Sequence, residues 1–529
     1  MKDALTALSA SQAMKSIIED HQNSVTEKAK AMNKDAVTEQ ETVLNEQRLV
    51  IVSNREPYTI KVSDGSEVSF ERTPGGLVSA LDPVLRKRNG LWICWEGAPK
   101  KVADNDAHSL DPVIDWANIE LPYEIQSVTL SETEINHYYY GYANTRIWPL
   151  FHYFVSRCNF LDERDWPSYL SANQKFAEAV ITHTNDDDLV WVQDYHLLLV
   201  PNLVRARAPK RKIGFFLHIP FPVLEVFKVL PRRQALLEGM LGSDLIGFHV
   251  PEYVEYFLDA VEALMPVSQA QINREASTVT YQGRVIKVAE FPISIDVEQI
   301  ETLAASPEVQ AQAQQVRQQY PVKYLGLSVD RLDYTKGILE NFEAIRIFFE
   351  KYPQYITQLT FVQIAAPTRT EVPAYRQMKE EIEQAVGRIN GALSKGNWSP
   401  IQYFYRSFPM DEVLPYFIAA DFCMITPLRD GMNLVAKEYC ATKLDNRGIL
   451  LLSEFTGAAS ELTDAFTLNP YHIEGMADTL HEALTKPQDA LTQSMAGLRR
   501  TIQKNTIHDW VNAFLSQFEQ ATTSPHVTL

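Results

Sequence analysis

Two cations follow an apolar run in KYLGLSVDRLDYTKGILENFEAI, where Arg331 and Lys336 precede a helical stretch that Gly337 opens. A helix start offers unpaired N–H groups and the positive end of its dipole, so two cations there make an anion site. Arginine grips phosphate through parallel N–H bonds, and lysine acts as a compact point charge. Two surface side chains with separate ion-pair partners would show the same spacing. A second run, DFCMITPLRDGMNLVAKEYCATK, turns through residues 429–433 and starts a helix near Leu434. That turn aims the amides of Gly431, Met432, Asn433, Leu434 and Val435 beyond the strand, where sugar hydroxyls or a diphosphate could be held. Asp430 fits a hydroxyl acceptor and fits a helix N-cap equally well. Glu438, one turn into the helix, can bridge two ribose hydroxyls as the acidic residue of dinucleotide sites does.

The first half of the chain repeats the pattern. RLVIVSNREP sets Arg55 directly after a strand, and RTPGGLVSALDPVL has Gly75 and Gly76 ahead of a helix. Paired glycines let backbone approach a ligand, and they serve a tight turn equally. HYYYGYANTRIWPLFHYF offers Tyr139 and Trp148, which can face a sugar or donate to it, although aromatic clusters more often belong to the core. DLVWVQDYHLL and KIGFFLHIPFP end apolar runs on Asp194 and His218, and LTFVQIAAPTRTEV sets Arg369 just past another. Four cations, Arg55, Arg331, Lys336 and Arg369, thus follow strand ends in a chain of net charge −18.

The elements that must position these residues are apolar strands alternating with helix-length segments. RLVIVS, LWICWEG, DLVWVQD, KIGFFLH, DLIGFHV and VIKVAEFPI form one series; KYLGLSVD, LTFVQIA, IQYFYRS, DFCMITP, GILLLSE and AFTLNP form another. Such alternation predicts an α/β protein with two doubly wound parallel sheets, divided near residue 300. In these sheets ligands bind beyond the carboxyl ends of the strands. Residues 1–47 hold no Gly, Pro or aromatic side chain and read as a helical or partly disordered extension. The stretch 490–520 is helical in pattern, and TTSPHVTL reads as a frayed tail.

At 529 residues two large domains are expected. The acidic balance argues against a nucleic-acid partner, which needs a positive footprint. No apolar run of about 18 residues signals a membrane span. The four cysteines, Cys94, Cys158, Cys423 and Cys440, form no CxxC pair, which suits a reducing cytoplasm.

From Arg48 to about residue 515 the chain resembles glycosyltransferase family 20, the trehalose-6-phosphate synthases. The shared stretches include SNR, PGGL, WPLFHY, QDYHLL, GFFLHIPFP, RLDYTKG, APTR, GRING and TPLRDGMNLVAKEY. The resemblance implies a GT-B fold of two Rossmann-like domains facing across a cleft, with the chain returning at its end to the first. The corresponding segments are 1–47 (extension), 48–300 (acceptor domain), 301–500 (donor domain) and 501–529 (returning helix and tail). It implies retaining transfer of glucose from a nucleoside-diphosphate glucose to glucose 6-phosphate. Arg331 and Lys336 would neutralise the donor diphosphate, with Asp430 and His218 on glucose hydroxyls and residues 431–435 on the glucosyl unit and phosphates. Glu438 would hold the ribose, Phe408 would lie beside the base, and Gly75 and Gly76 would close over the donor. Arg55, Tyr139, Trp148, Asp194 and Arg369 would form the acceptor pocket. No metal or cofactor is called for, because cations and helix-end dipoles can stabilise the departing diphosphate.

Three features depart from the common pattern: the extension, the insert EPYTIKVSDGSEVSFERT, which reads as a hairpin around Asp64-Gly65, and Gln193 where His is common before DYH. They leave the donor site untouched and leave open glycerol 3-phosphate as acceptor; a non-catalytic relative that binds sugar phosphates and regulates a partner is a separate alternative, although Arg331, Lys336, Asp430 and Glu438 are all present. The donor base and any homo-oligomeric state also stay open.

Overall fold

Runs such as LVIVS and ILLLS are apolar at every position, and only a strand covered on both faces can bury them all. The computed structural model describes residues 47–62, 68–72, 76–88, 90–95 and 123–523. The expected extension up to residue 46, Gly75, the Asp64-Gly65 turn and residues 524–529 lie outside these.

The strands of the first half are β1 (Leu49–Arg55), β2 (Tyr58–Val62), β3 (Val68–Arg72), β4 (Leu91–Trp95), β5 (Glu124–Val128) and β6 (Leu189–Gln193). They continue with β7 (Lys212–Phe216), β8 (Leu245–Phe248), β9 (Ala270–Asn273), β10 (Thr278–Tyr281) and β11 (Arg284–Glu290). Nine of them form one sheet in the order β5-β4-β1-β6-β7-β8-β11-β10-β9. It is parallel from β5 to β11, and β10 and β9 extend it antiparallel. The remaining two, β2 and β3, pair as the hairpin expected of the insert, with Val62 opposite Val68.

The second half supplies β12 (Tyr324–Arg331), β13 (Leu359–Ala366), β14 (Ile401–Phe404), β15 (Phe422–Ile425), β16 (Ile449–Ser453) and β17 (Phe466–Leu468). All pair in parallel, in the order β14-β13-β12-β15-β16-β17. In each sheet the chain first winds to one side and then to the other. The order reverses between β1 and β6 in the first sheet and between β12 and β15 in the second. Loops leaving two such strands diverge and open a crevice at their carboxyl ends, the usual ligand position of these folds.

The helix Ile507–Thr523 follows the second sheet in sequence but packs on the first. Phe514 stacks on Trp191 with centroids 4.0 Å apart and meets Phe291 at 5.1 Å, and Trp510 meets Phe216 at 5.2 Å. Phe514, Phe518 and Trp191 are fully buried. Each such side chain is worth about 1.5–3 kcal/mol relative to exposure. No described helix is long and apolar enough to cross a membrane, and all four cysteines are free thiols.

Candidate active site

The loops at the second reversal point carry Arg331, Lys336 and Asp430. Arg331 ends β12 exposed, with no hydrogen-bond or ion-pair partner among the described residues. Asp333 then caps the turn Tyr334–Lys336 by accepting from the Thr335 amide at 3.0 Å. Gly337 follows at φ 64°, where an added Cβ would stand 2.1 Å from the Thr426 carbonyl oxygen. Only glycine fits, and its tight reversal brings Lys336 against the loop after β15. There Lys336 Nζ lies 2.5 Å from Asp430 Oδ2, and Asn433 donates to the same oxygen at 3.1 Å. Burial alone would push the Asp430 carboxyl up, but the Lys336 charge outweighs it and the group is held below its usual range.

Asn433, at φ 84°, is the N-cap of the helix Leu434–Thr442 and accepts from the Ala436 amide at 3.1 Å. Asp430 is therefore not the N-cap; its side chain is taken by Lys336 and Asn433. Gly431, Met432 and Asn433 are buried, while Leu434, Val435 and Glu438 are half-buried. Burial drives the Glu438 carboxyl up to about 7. Phe408 lies past the edge strand β14 under the Arg406 guanidinium, 3.8 Å from the ring centroid. Its ring partners are Phe404 and Tyr416.

The first sheet meets this loop from the opposite side. Arg55 at the end of β1 donates to the Tyr139 hydroxyl at 2.7 Å. Tyr139 sits in a π-helix, Ile135–Ile147, whose wide turns send Tyr138 to the Asn54 side chain and Tyr139 to Arg55. Burial raises the Tyr139 hydroxyl, but Arg55, Arg369 and Arg331 outweigh it and hold the group below the ordinary phenol range. Asp194, at φ 72°, follows β6 and accepts from the His218 amide at 3.2 Å. Burial lifts its carboxyl to about 6. His218 follows β7; burial keeps it well below its ordinary value, hence neutral, with Nε2 2.9 Å from Gln193 Oε1. Gly76 begins the helix Gly76–Lys87.

The two sides touch at named points. Arg369, past β13, and Arg331, at the end of β12, stand 4.0 and 5.5 Å from the Trp148 ring centroid of the first half. Arg369 also donates to the Tyr195 hydroxyl at 3.1 Å and pairs with Asp333 at 2.6 Å. An added Cβ on Gly431 would lie 2.4 Å from the His218 carbonyl oxygen, so the loop after β15 and the strand-end histidine are in direct contact. Arg55, Tyr139, Trp148, Asp194, His218, Arg331, Lys336, Arg369 and Asp430 thus share one neighbourhood.

The sequence reading missed Asp333, Tyr195 and His152. Asp333 lies inside RLDYTKG and is the buried counter-charge of Arg369. His152, one turn beyond Trp148, has Nδ1 2.7 Å from the Trp148 carbonyl oxygen. Burial lowers it to about 4, against the pull of Asp333 and Asp430. Its one-turn spacing from Trp148 in WPLFHY was the available signal. His137, Asp162 and Asp165 bring ligand atoms close together, but Arg146 and Arg164 pair with the two carboxylates at 2.9 and 2.7 Å, which makes the group an ion-pair network.

Two largely parallel sheets that face each other through the loops at their carboxyl ends, with cations on both sides, have the two-domain architecture of the GT-B fold. Residues 47–520 match the profile of glycosyltransferase family 20. A trehalose-6-phosphate synthase from Mycobacterium sp. (strain KMS) is 40% identical over 473 residues, covering 88% of this chain and 94% of that one. An E. coli structure bound with UDP-2-fluoro glucose superimposes with a TM-score of 0.79 at 34% identity, covering 90% of this chain and 99% of that one. An alpha,alpha-trehalose-phosphate synthase (UDP-forming) from Burkholderia xenovorans in complex with glucose-6-phosphate gives 0.78 at 31% identity, covering 89% and 100%. The chain belongs to glycosyltransferase family 20.

Proposed function

We propose that this enzyme moves glucose, with retention of anomeric configuration, from UDP-glucose to glucose 6-phosphate, giving trehalose 6-phosphate and UDP. The observation that carries the reading is the meeting of Arg331 and Arg369 over Trp148 while Lys336 and Asp430 close the same loop. The relatives bound to UDP-2-fluoro glucose and to glucose-6-phosphate support the two substrates.

In this reading Arg331, Lys336 and the amides of residues 431–435 hold the donor diphosphate and glucosyl unit. Asp430 and neutral His218 take glucose hydroxyls, Glu438 takes the ribose, Phe408 flanks the base, and Gly75 and Gly76 cover the donor. Arg55, Tyr139 and Arg369 hold the acceptor phosphate, with Trp148 and Asp194 on its sugar. Residues 48–300 then act as the acceptor half and 301–500 as the donor half, with 501–529 returning to the first. The acceptor hydroxyl oxygen attacks the anomeric carbon on the face from which the diphosphate leaves. The carbon–oxygen bond to the diphosphate breaks as the glycosidic bond forms, and the acceptor proton passes to the departing phosphate oxygen. Preorganised cations and amides supply the charge stabilisation, and the contact between the two halves excludes water. The free thiols suit the reducing cytoplasm, where we place the enzyme.

Product identification tests this directly. Purified protein is incubated with UDP-, GDP- or ADP-glucose and either glucose 6-phosphate or glycerol 3-phosphate. A phosphorylated disaccharide and UDP are expected from one pairing. Turnover with glycerol 3-phosphate alone would replace the acceptor, and no turnover with any pairing would sink the catalytic reading.

A further inference from the structure

A pocket of about 570 Å³ lies at the amino ends of β7 and β8, opposite the strand ends that lead to His218. Its volume is in the range of small-molecule sites. Arg205, Lys210, Arg211, Lys212 and Lys287 line it, against a single carboxylate, Asp244. That carboxylate is engaged by its own neighbours: it pairs with Arg205 at 2.8 Å and Arg284 at 3.7 Å and accepts from the Ile213 amide at 2.8 Å. Arg205 gives its other protons to the carbonyls of Gly242, Pro209 and Arg211, so the pair builds the wall and leaves little net charge. Arg211 is held by Thr184 and Asp186.

The lysines are different. Lys287 donates one proton to the Ala276 carbonyl at 2.6 Å and keeps two. Lys210 and Lys212 have no hydrogen-bond or ion-pair partner among the described residues, and nearby Glu519, its carboxyl pushed up by burial, feels first the Arg88 charge and then that of Lys212. Ammonium groups around one concavity repel each other unless an anion joins them, and here they do so in a chain of net charge −18. The remaining wall is the helix Ile507–Thr523, through Gln517, Gln520 and Thr522. Two turns before Gln517 the same helix sets Trp510 6.1 Å from the His218 ring.

We propose that this pocket is a second anion site, for a small phosphorylated molecule carrying two or more negative charges, which clamps the Ile507–Thr523 helix to the first sheet. Inorganic pyrophosphate is the probe. Calorimetric titration is run on the full chain in saturating UDP, for wild type and for K210Q/K212Q. Wild type should bind one equivalent more than the variant, with UDP affinity equal in both. K287Q should keep the site and weaken it by about threefold to tenfold, the loss of one charge contact. Equal uptake by wild type and K210Q/K212Q, or no uptake by either, overturns the site. The clamp is read by hydrogen exchange: amides of residues 517–523 should slow with pyrophosphate in wild type and not in K210Q/K212Q. Unchanged exchange in the wild-type complex overturns the clamp.

Discussion

Arg331 and Arg369 reach the same indole with opposite freedom. Arg369 is buried and committed to Asp333, Tyr375 and Tyr195. Burial pushes the Asp333 carboxyl up, but Arg369 and Arg331 outweigh it and hold it at about 2. Arg369→Ala strands that carboxylate, so it should raise the apparent acceptor constant and also lower stability by roughly 3–5 kcal/mol in a denaturant titration at neutral pH. Arg331 makes no hydrogen bond or ion pair among the described residues and reaches Asp333 only through its charge. On the proposed reading Arg331→Ala should cut turnover by about 10²-fold or more with little change in melting temperature, because a charge at the leaving group is lost while Asp333 keeps its Arg369 pair. Near-normal turnover in Arg331→Ala would remove it from the donor site. Glu438 gives a pH signature. Its folded-state value of about 7 lies above the ordinary 4.5, so the folded protein holds that proton more tightly than the unfolded chain. The cost is absent below about pH 4.5 and fully present above pH 7. Glu438→Gln should therefore gain on the order of 2 kcal/mol at pH 8 and almost nothing at pH 4.5, while weakening donor binding. An equal change in melting temperature at both pH values would contradict that sign.

At the level of elements, the site depends on how closely two loops approach. Gly431 sits against the His218 carbonyl with no room for a Cβ. Gly431→Ala should push the loop after β15 away from the strand-end histidine, and kinetics should report a lower turnover and a higher donor constant. Wild-type constants would show that the contact gives way freely. The strands behind these loops were legible because they are apolar throughout: all six runs of the second series are the six strands of its sheet. Strands β5, β9 and β10 were not, because EIQSV, AQIN and TVTY alternate with exposed or polar positions at the sheet's margins. The π-helix was equally hidden, since its wider turn leaves no trace at the helical period of 3.6 residues. Strand-end cations and the glycine-turn-helix patterns stood out in sequence. Their pairings, Lys336 with Asp430 and Arg369 with Asp333, did not, because positions distant in sequence meet only once the sheets are formed. The ambiguity at Asp430 was of this kind: its spacing suited a cap, and only the fold assigns that role to Asn433.

Across the whole molecule, the Ile507–Thr523 helix brings the chain back from the second half onto the first sheet. Phe514 is fully buried between Trp191, Phe216 and Phe291. Phe514→Ala should cost about 3–5 kcal/mol, measured by denaturant unfolding. It should also loosen Trp510 beside His218, which a fall in turnover in the folded variant would reveal. A stability change confined to a few tenths would show that the helix is only draped on the sheet. The same feature has a consequence for birth on the ribosome. Trp191 and Phe216 leave the exit tunnel long before their aromatic cover has been translated, and the entire second sheet is synthesised in between. The early half must therefore wait with a sticky flank bare, a stage at which a nascent polypeptide invites chaperone capture.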